Sequence, residues 1–317
     1  MSSPSDATTD RNNDWDVGID VGGTFTDLVA YCQKTGQRRS LKRSSTPDNQ
    51  SFGILDALKA LTPDLRSVVA LSHGNTVALN TILERRGARV GIITTDGFGD
   101  VVEIGKTNRL KLFDLRYQKP MLPVRRRDVA TVRERTLSDG SVALALDGKD
   151  VVQAARALLS RGCETIAVCF INAYVNPENE KRAEAILCAE LPEVPVAISS
   201  DLSREMGEFE RFSSCVLNAY VMGSVGAYLA SLEAMLAREG YRRRVHLMHS
   251  AGGLMTLENA RRLPVRTVLS GPAAGVAAAL HIGREAGLRK FITFDVGGTS
   301  TDICLIHDGE ALLRSEG

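Results

Sequence analysis

The segment DVGGTFTD spans residues 20–27 and DVGGTSTD spans residues 295–302, identical at seven of eight positions. Each follows a short apolar run, VGI before the first copy and FITF before the second. A strand that delivers an aspartate, a Gly-Gly turn and a returning strand of Thr-x-Thr-Asp make a tight β-hairpin. Glycine permits positive φ and leaves backbone N–H groups unobstructed, so such a turn can wrap a phosphate chain. Threonine hydroxyls add donors, and an aspartate can hold Mg²⁺ through water. A single Gly-Gly hairpin is common and says little. Two copies in one chain suggest two hairpins gripping one nucleotide from opposite sides.

The remaining pattern is that of an α/β protein. Residues 16–21, 24–31 and 37–44 read as an antiparallel meander, followed by a helix to about residue 61. Strand, helix and strand follow at 67–72, 76–86 and 89–94. Three strands before the first helix is unlike a dinucleotide-binding start, where a parallel strand follows the first helix directly. Residues 96–135 break the rhythm and read as a loop, with ten basic and three acidic residues from 106 to 135. That excess reads as a substrate- or partner-facing surface rather than a nucleic-acid one, since Phe113 and Tyr117 are its only aromatics. A hairpin is expected at Asp139 and Gly140, helices at 149–160 and 177–190, and strands at 165–171 and 194–199. A long helical pattern runs from about 204 to 238 and is expected to break near Gly223 or Gly226, because glycine weakens a helix interior. A strand at 246–250 and a small-residue helix, GPAAGVAAAL at 271–280, lead into the second hairpin.

Composition excludes several classes. Hydrophobic residues make up 44% and charged residues 24% of the 317, with a formal net charge of +1. No global field draws the chain to nucleic acid or an anionic membrane. No segment reads as a transmembrane helix on the roughly 18-residue criterion, and the polar residues 1–14 read as a disordered tail rather than a signal peptide. The six cysteines include no CxxC pair, which fits reduced core cysteines of a cytoplasmic protein better than a zinc or disulfide framework. Gly105, Lys106 and Thr107 end like a Walker A loop, but Asp100 stands where its first glycine is required.

The sequence resembles the A-type subunit of the hydantoinase/oxoprolinase family. The residues that carry the resemblance are VGIDVGGTFTDLV, LSHGNTVALNTILERRGARVGIITTDGFGDVVEIG, INAYVNPENEKRAEAI, FERFSSCVLNAYV, HSAGG, LSGPAAGVAAAL and ITFDVGGTSTDICLI, in the family's order over about residues 15–310. The resemblance implies the actin/hexokinase/heat-shock-chaperone-like ATPase fold, ribonuclease H-like. It places an N-terminal domain at 15–200 and the start of a second, ATPase-like domain at 201–317, ending after the phosphate-2 loop. It further implies an ATP-dependent hydrolase of small cyclic amides such as 5-oxoproline or hydantoins. Ketone carboxylases of the acetone or acetophenone type are the alternative, and an inactive remnant acting only as a binding module is a third reading.

By that resemblance Asp20 and Asp295 are catalytic and organise Mg²⁺, and His73 in SHGNT is a catalytic or substrate-contacting residue. Gly22, Gly23, Thr24, Thr26 and Asp27 form the phosphate-1 loop; Gly297, Gly298, Thr299, Thr301 and Asp302 form the phosphate-2 loop, with ATP between them. Expected partners are a B-type hydantoinase subunit or a C-terminal half not carried here, with a homo-oligomer as a further possibility. Two departures stand out: Asn75 replaces the family's threonine in HGTT, and Ala251 stands where an asparagine is typical. Glu208, Glu210 and Arg211 match a family motif that a surface ion pair on a helix would equally explain.

Overall fold

The computed structural model describes residues 14–22, 25–44, 50–106, 113–116, 122–296 and 301–312. Most of the segment read as a tail, parts of the basic stretch, and the turn residues Gly23, Thr24, Gly297, Gly298 and Thr299 lie outside the described residues. In chain order the first elements are β1 (Trp15–Val21), β2 (Phe25–Cys32), β3 (Arg38–Ser44), α1 (Gln50–Leu61), β4 (Val68–Asn75), α2 (Val77–Leu83), β5 (Val90–Thr95) and α3 (Val101–Ile104). Next come β6 (Val129–Val132), β7 (Arg135–Thr136), β8 (Val142–Leu144), α4 (Gly148–Ser160), β9 (Thr165–Cys169), α5 (Glu178–Glu190), β10 (Val196–Ile198), α6 (Ser199–Leu202) and α7 (Glu208–Arg238). The chain continues through β11 (Val245–Met248), β12 (Leu254–Thr256), α8 (Leu257–Arg262), α9 (Ser270–Glu285), β13 (Phe291–Val296), β14 (Thr301–His307) and β15 (Glu310–Ala311).

By contact these elements form two compact units that are interleaved along the chain. One comprises Met1–Asn80, Gly226–Arg261 and Arg266–Gly317; the other comprises Thr81–Val225 and Arg262–Val265.

The first unit contains a six-stranded sheet in the order β12-β11-β4-β1-β2-β3 and a three-stranded sheet, β13-β14-β15. β1 and β2 alternate strictly between buried and outward residues, which fixes the register because a one-residue slip would turn the apolar set outward. Trp15, Val17, Ile19 and Val21 of β1 join Leu28 and Ala30 of β2 in the core. α1 adds Ile54, Ala57, Leu58 and Leu61, all buried. In the small sheet the alternation has a different outcome: Ile292, Phe294, Val296, Ile303 and Leu305 are all exposed, and the first two face Leu305 and Ile303 across the ladder.

The second unit is built on a parallel sheet in the order β10-β9-β5-β6. β5 and β9 are buried along their whole length, as expected of central parallel strands covered on both faces. α4 starts on an Asp147 cap, whose side chain accepts from the Lys149 N–H at 2.9 Å. It lays Val151, Ala154, Ala155 and Leu158 on the core with Ile93, Ile166, Val168, Phe170 and Leu187. Sheets of this topology usually bind ligands at the carboxyl ends of their strands, where the strand order reverses. Here that edge is filled from within. The Thr95 hydroxyl accepts from the Ile171 N–H and donates to the buried Glu134, which also accepts from Asn179 at 2.8 Å. Burial pushes the Glu134 carboxyl above its usual range. Beside it Arg211, fully buried, donates to the Phe170 carbonyl and to Ser199 and pairs with Glu180 and Glu208. Arg211 is thus no surface residue; it closes a buried network.

Three expectations are corrected. The stretch 96–135 is not all loop, because β6 pairs in parallel with β5; its four residues are too few, and too closely flanked by arginines, to show a period. Three of its six described arginines are engaged: Arg126 pairs with Asp100, Arg133 with Asp150, and Arg135 lies over the Phe98 ring. α7 is unbroken through Gly223 and Gly226. Each glycine costs a helix about 1 kcal/mol, which the buried stripe of Val216, Ala219, Val225, Leu229 and Leu232 outweighs. By length and composition α7 would also suffice to cross a membrane, yet more than half of its most apolar window is buried inside the protein.

Two outcomes follow. A Cβ at Gly223 meets nothing within 4 Å, so Gly223→Ala should stabilise the chain by about 0.5–1 kcal/mol; a lowered melting temperature would contradict the unbroken helix. Arg211→Met leaves Glu180 buried without its cation and should cost about 3–5 kcal/mol in denaturant unfolding, whereas a loss below ~1 kcal/mol, the value of an exposed pair, would restore the surface reading.

Candidate functional site

Asp20 closes β1 and is the centre of the site. Beyond it the Gly22 N–H donates to the Phe25 carbonyl at 3.0 Å and turns the chain into β2. The hairpin register places Asp27 directly opposite Asp20 and Thr26 opposite Val21. On its other side β1 pairs in parallel with β4, which sets Gly74 beside Asp20. A Cβ at Gly74 would lie 3.0 Å from Asp20 Oδ1, and one at Gly271, at the start of α9, 3.7 Å from the same atom. Both positions therefore leave room around that oxygen that any larger side chain would take. Ser270 ties α9 to the end of β4: its hydroxyl donates to the Asn75 carbonyl at 2.9 Å and accepts from the Asn75 N–H at 3.2 Å.

The second hairpin repeats the first in register, with Asp295 opposite Asp302 and Val296 opposite Thr301. Asp20 keeps solvent access, but burial pushes its carboxyl above the usual range, and the charges of Asp27 and Asp295 push it further. The two copies of the motif thus act on one carboxylate. A cavity of about 660 Å³ lies between α9, the loop after β11 and the small sheet, with Ser250, Ala273, Val276, Phe294, Asp295 and Asp302 on its walls.

Like charges directly opposite one another in a sheet repel, and a carboxylate raised by such neighbours favours a bound cation. Among the described residues no group of three or more metal-ligating side chains gathers. Mg²⁺ usually takes one or two carboxylates and completes its shell with water and phosphate oxygens, so carboxylates such as Asp20 and Asp295 are donors of the right chemistry for it. A polar centre that favours a cation suits a nucleotide phosphate chain.

The remaining site residues are placed as follows. Thr26 is buried on the inward face of its hairpin, whereas Thr301 is exposed. His73 is 2% exposed and lies on the sheet face opposite Gly74. Its Nε2 shares a hydrogen bond with the Tyr228 hydroxyl on α7. Burial lowers its pKa to about 4, so the ring is neutral at pH 7, and burial raises that of Tyr228. Sequence reasoning did not find Gly74, Ser270, Gly271 or Tyr228 as parts of this region. The first three sit in the SHGNT and SGPAAG segments, whose small residues were legible; the tyrosine gave no signal.

Comparison with known proteins follows the same segments. The family model described as "Hydantoinase/oxoprolinase N-terminal region" matches residues 16–191, and that described as "Hydantoinase/oxoprolinase" matches 211–317. The gamma subunit of acetophenone carboxylase from Aromatoleum aromaticum is 33% identical over 92% of this chain and 42% of its own length. The crystal structure of ATP-dependent caprolactamase from Pseudomonas jessenii superposes with a TM-score of 0.80 at 31% identity, over 91% of this chain and 43% of that one. The nucleotide-free structure of acetone carboxylase, described as part of a mechanism of ATP-dependent acetone carboxylation, gives 0.81 at 29% identity, over 94% and 44%. The chain spans less than half the length of these relatives, and it shares their mixed α/β, actin-like ATPase fold.

The electrostatics of Asp20 give a signed expectation. A carboxyl raised in the folded state is protonated more readily there than in the unfolded chain, so its contribution to stability is greatest below the unfolded value and is lost as pH rises through the folded one. Asp20→Asn should therefore raise the melting temperature at pH 7, with the gain shrinking toward pH 3. A variant less stable than wild type at pH 7 without added metal would contradict this environment.

Proposed function

Because the chain belongs to the hydantoinase/oxoprolinase family, we propose that it is a subunit, or the N-terminal part, of an ATP-dependent enzyme that opens small cyclic amides. The observation that carries this reading is geometric: two hairpins of one motif oppose Asp20 to Asp27 and Asp295 to Asp302, and α9 reaches both, with Gly271 beside Asp20 and Ala273 and Val276 sharing a cavity with Asp295. The similarity to an ATP-dependent caprolactamase, whose name describes lactam opening, supports it.

In this reading Asp20 and Asp295 hold hydrated Mg²⁺, and the backbone N–H groups of the two glycine turns bind the phosphates. When bound, ATP supplies the phosphoryl group that activates an otherwise unreactive amide oxygen. The chain's own residues position and neutralise, as in phosphoryl transfer generally. Gly74 and Gly271 keep space open at Asp20 Oδ1. Ser270 fixes α9 against β4, so that the positive end of the helix dipole lies near the site. His73, neutral and bonded to Tyr228, acts from behind β4 by fixing the strand that carries Gly74. Ring opening would also engage a further polypeptide, a B-type subunit or the counterpart of the relatives' remaining length.

The 33% identity to an acetophenone carboxylase subunit favours one second reading, ATP-dependent carboxylation of a ketone. One experiment separates the two. The protein is isolated with the polypeptides that accompany it, and phosphate release from ATP is followed with hydantoin, 5-oxoproline or a lactam, and separately with acetone or acetophenone plus bicarbonate. Stimulation by the cyclic amides is expected, with Asp295→Asn lowering kcat by roughly 100-fold or more. Turnover that requires ketone and bicarbonate would establish the second reading, and an assembly without any ATP turnover would contradict both.

A further inference from the structure

The open face of the first hairpin carries one row of residues across four strands. Gly74, Asp20, Asp27 and Lys42 are successive cross-strand partners on β4, β1, β2 and β3. Lys42 Nζ lies 3.1 Å from each carboxylate oxygen of Asp27 and 5.0 Å from the centroid of the Phe25 ring. Two contacts from different directions hold its long side chain in place. The repeat at the other end of the chain sets Asp295 against Asp302 in the same way, but its third strand, β15, is two residues long and pairs only with Ile306 and His307. Among the described residues no lysine or arginine pairs with Asp295 or Asp302. Among the described residues one sequence motif thus yields two carboxylate pairs of different net charge, the first compensated by Lys42 and the second not.

We propose that Lys42 is a positioning residue of the first hairpin, which by holding Asp27 in an ion pair leaves Asp20 as that hairpin's only carboxylate available to a divalent cation. The inference rests on the nucleotide reading above and deepens it, since it divides the roles of two aspartates that the motif makes equivalent. Without the ammonium, Asp27 would stand free across the ladder from Asp20, and a hydrated cation would settle between them on the first hairpin alone. With it, the remaining negative charge comes from Asp295 and Asp302, so the cation is drawn between hairpins. Lys42 is itself recruited by the alternation of β3, which points Arg38, Ser40 and Lys42 to the same face.

The test uses Mn²⁺ alone, without nucleotide, binding to the full chain and read by electron paramagnetic resonance. Lys42→Met should tighten Mn²⁺ binding about 30-fold, the effect on a divalent cation of one uncompensated unit charge at ~4 Å in a watery environment. Lys42→Arg should match wild type. The double variant Asp27→Asn/Lys42→Met exchanges a neutral pair for a neutral pair and should also match wild type, while Asp20→Asn should lose binding. Exposed ion pairs add little to stability, so the variants should fold, which circular dichroism checks. A double variant as weak as Asp20→Asn would make Asp27 a cation-holding residue, and an unchanged affinity in Lys42→Met would remove any part for the lysine; either overturns the inference and leaves the nucleotide reading standing. Equal Mn²⁺ binding by wild type and Asp20→Asn would instead sink both.

Discussion

Repulsion between carboxylates facing each other across two β-hairpins is the constraint on which the site depends. The Asp20–Asp27 and Asp295–Asp302 pairs are set by ladder register, and no rotamer change can move like charges in that position far apart. The fold tolerates the first pair through Lys42. The residual charge remains around Asp20, whose carboxyl is pushed up by burial, Asp27 and Asp295. Stability is given up where a cation and phosphates would restore it, the usual relation between strain and function.

The surrounding architecture serves that point. Strict alternation in β1 and β2 buries one face and leaves the other, with its aspartates, outward. β4 contributes a glycine beside Asp20, and α9 contributes a second through a start pinned by Ser270. The second unit has a different economy. Its sheet edge, the place where α/β sheets commonly bind ligands, is occupied by Glu134, Glu180 and Arg211 with their hydrogen-bonded partners. The carboxylates there are held by Arg211 and by hydrogen-bond donors, whereas Asp20 faces the carboxylates of Asp27 and Asp295.

The hairpins, the meander and the small-residue helix were legible in the sequence because each has a local cause: period-two alternation, a Gly-Gly turn, or a run of residues with no bulk. β6 was not, since four residues between arginines carry no period, and the continuity of α7 was not, since local propensity penalises Gly223 and Gly226 while distant packing decides. The pairing of Asp20 with Asp27 follows from hairpin geometry and could have been read from the motif. The placement of His73 inside the sheet could not, because Tyr228, its partner, lies 155 residues away. Lys42 was equally hidden: nothing in RRSLKRS distinguishes it from its basic neighbours until the register of β3 is known. Sequence thus reports the local geometry of the site, and tertiary contacts assign the roles.

The central claim is that the two hairpins share one cation. Anomalous diffraction from crystals grown with Mn²⁺ and ADP tests it most directly, using the protein together with any polypeptide that completes it. A single Mn²⁺ peak between Asp20 and Asp295, with the ADP phosphates on the two glycine turns, is the predicted result. A peak confined to one hairpin, or phosphates bound elsewhere while both turns remain empty, would contradict the account.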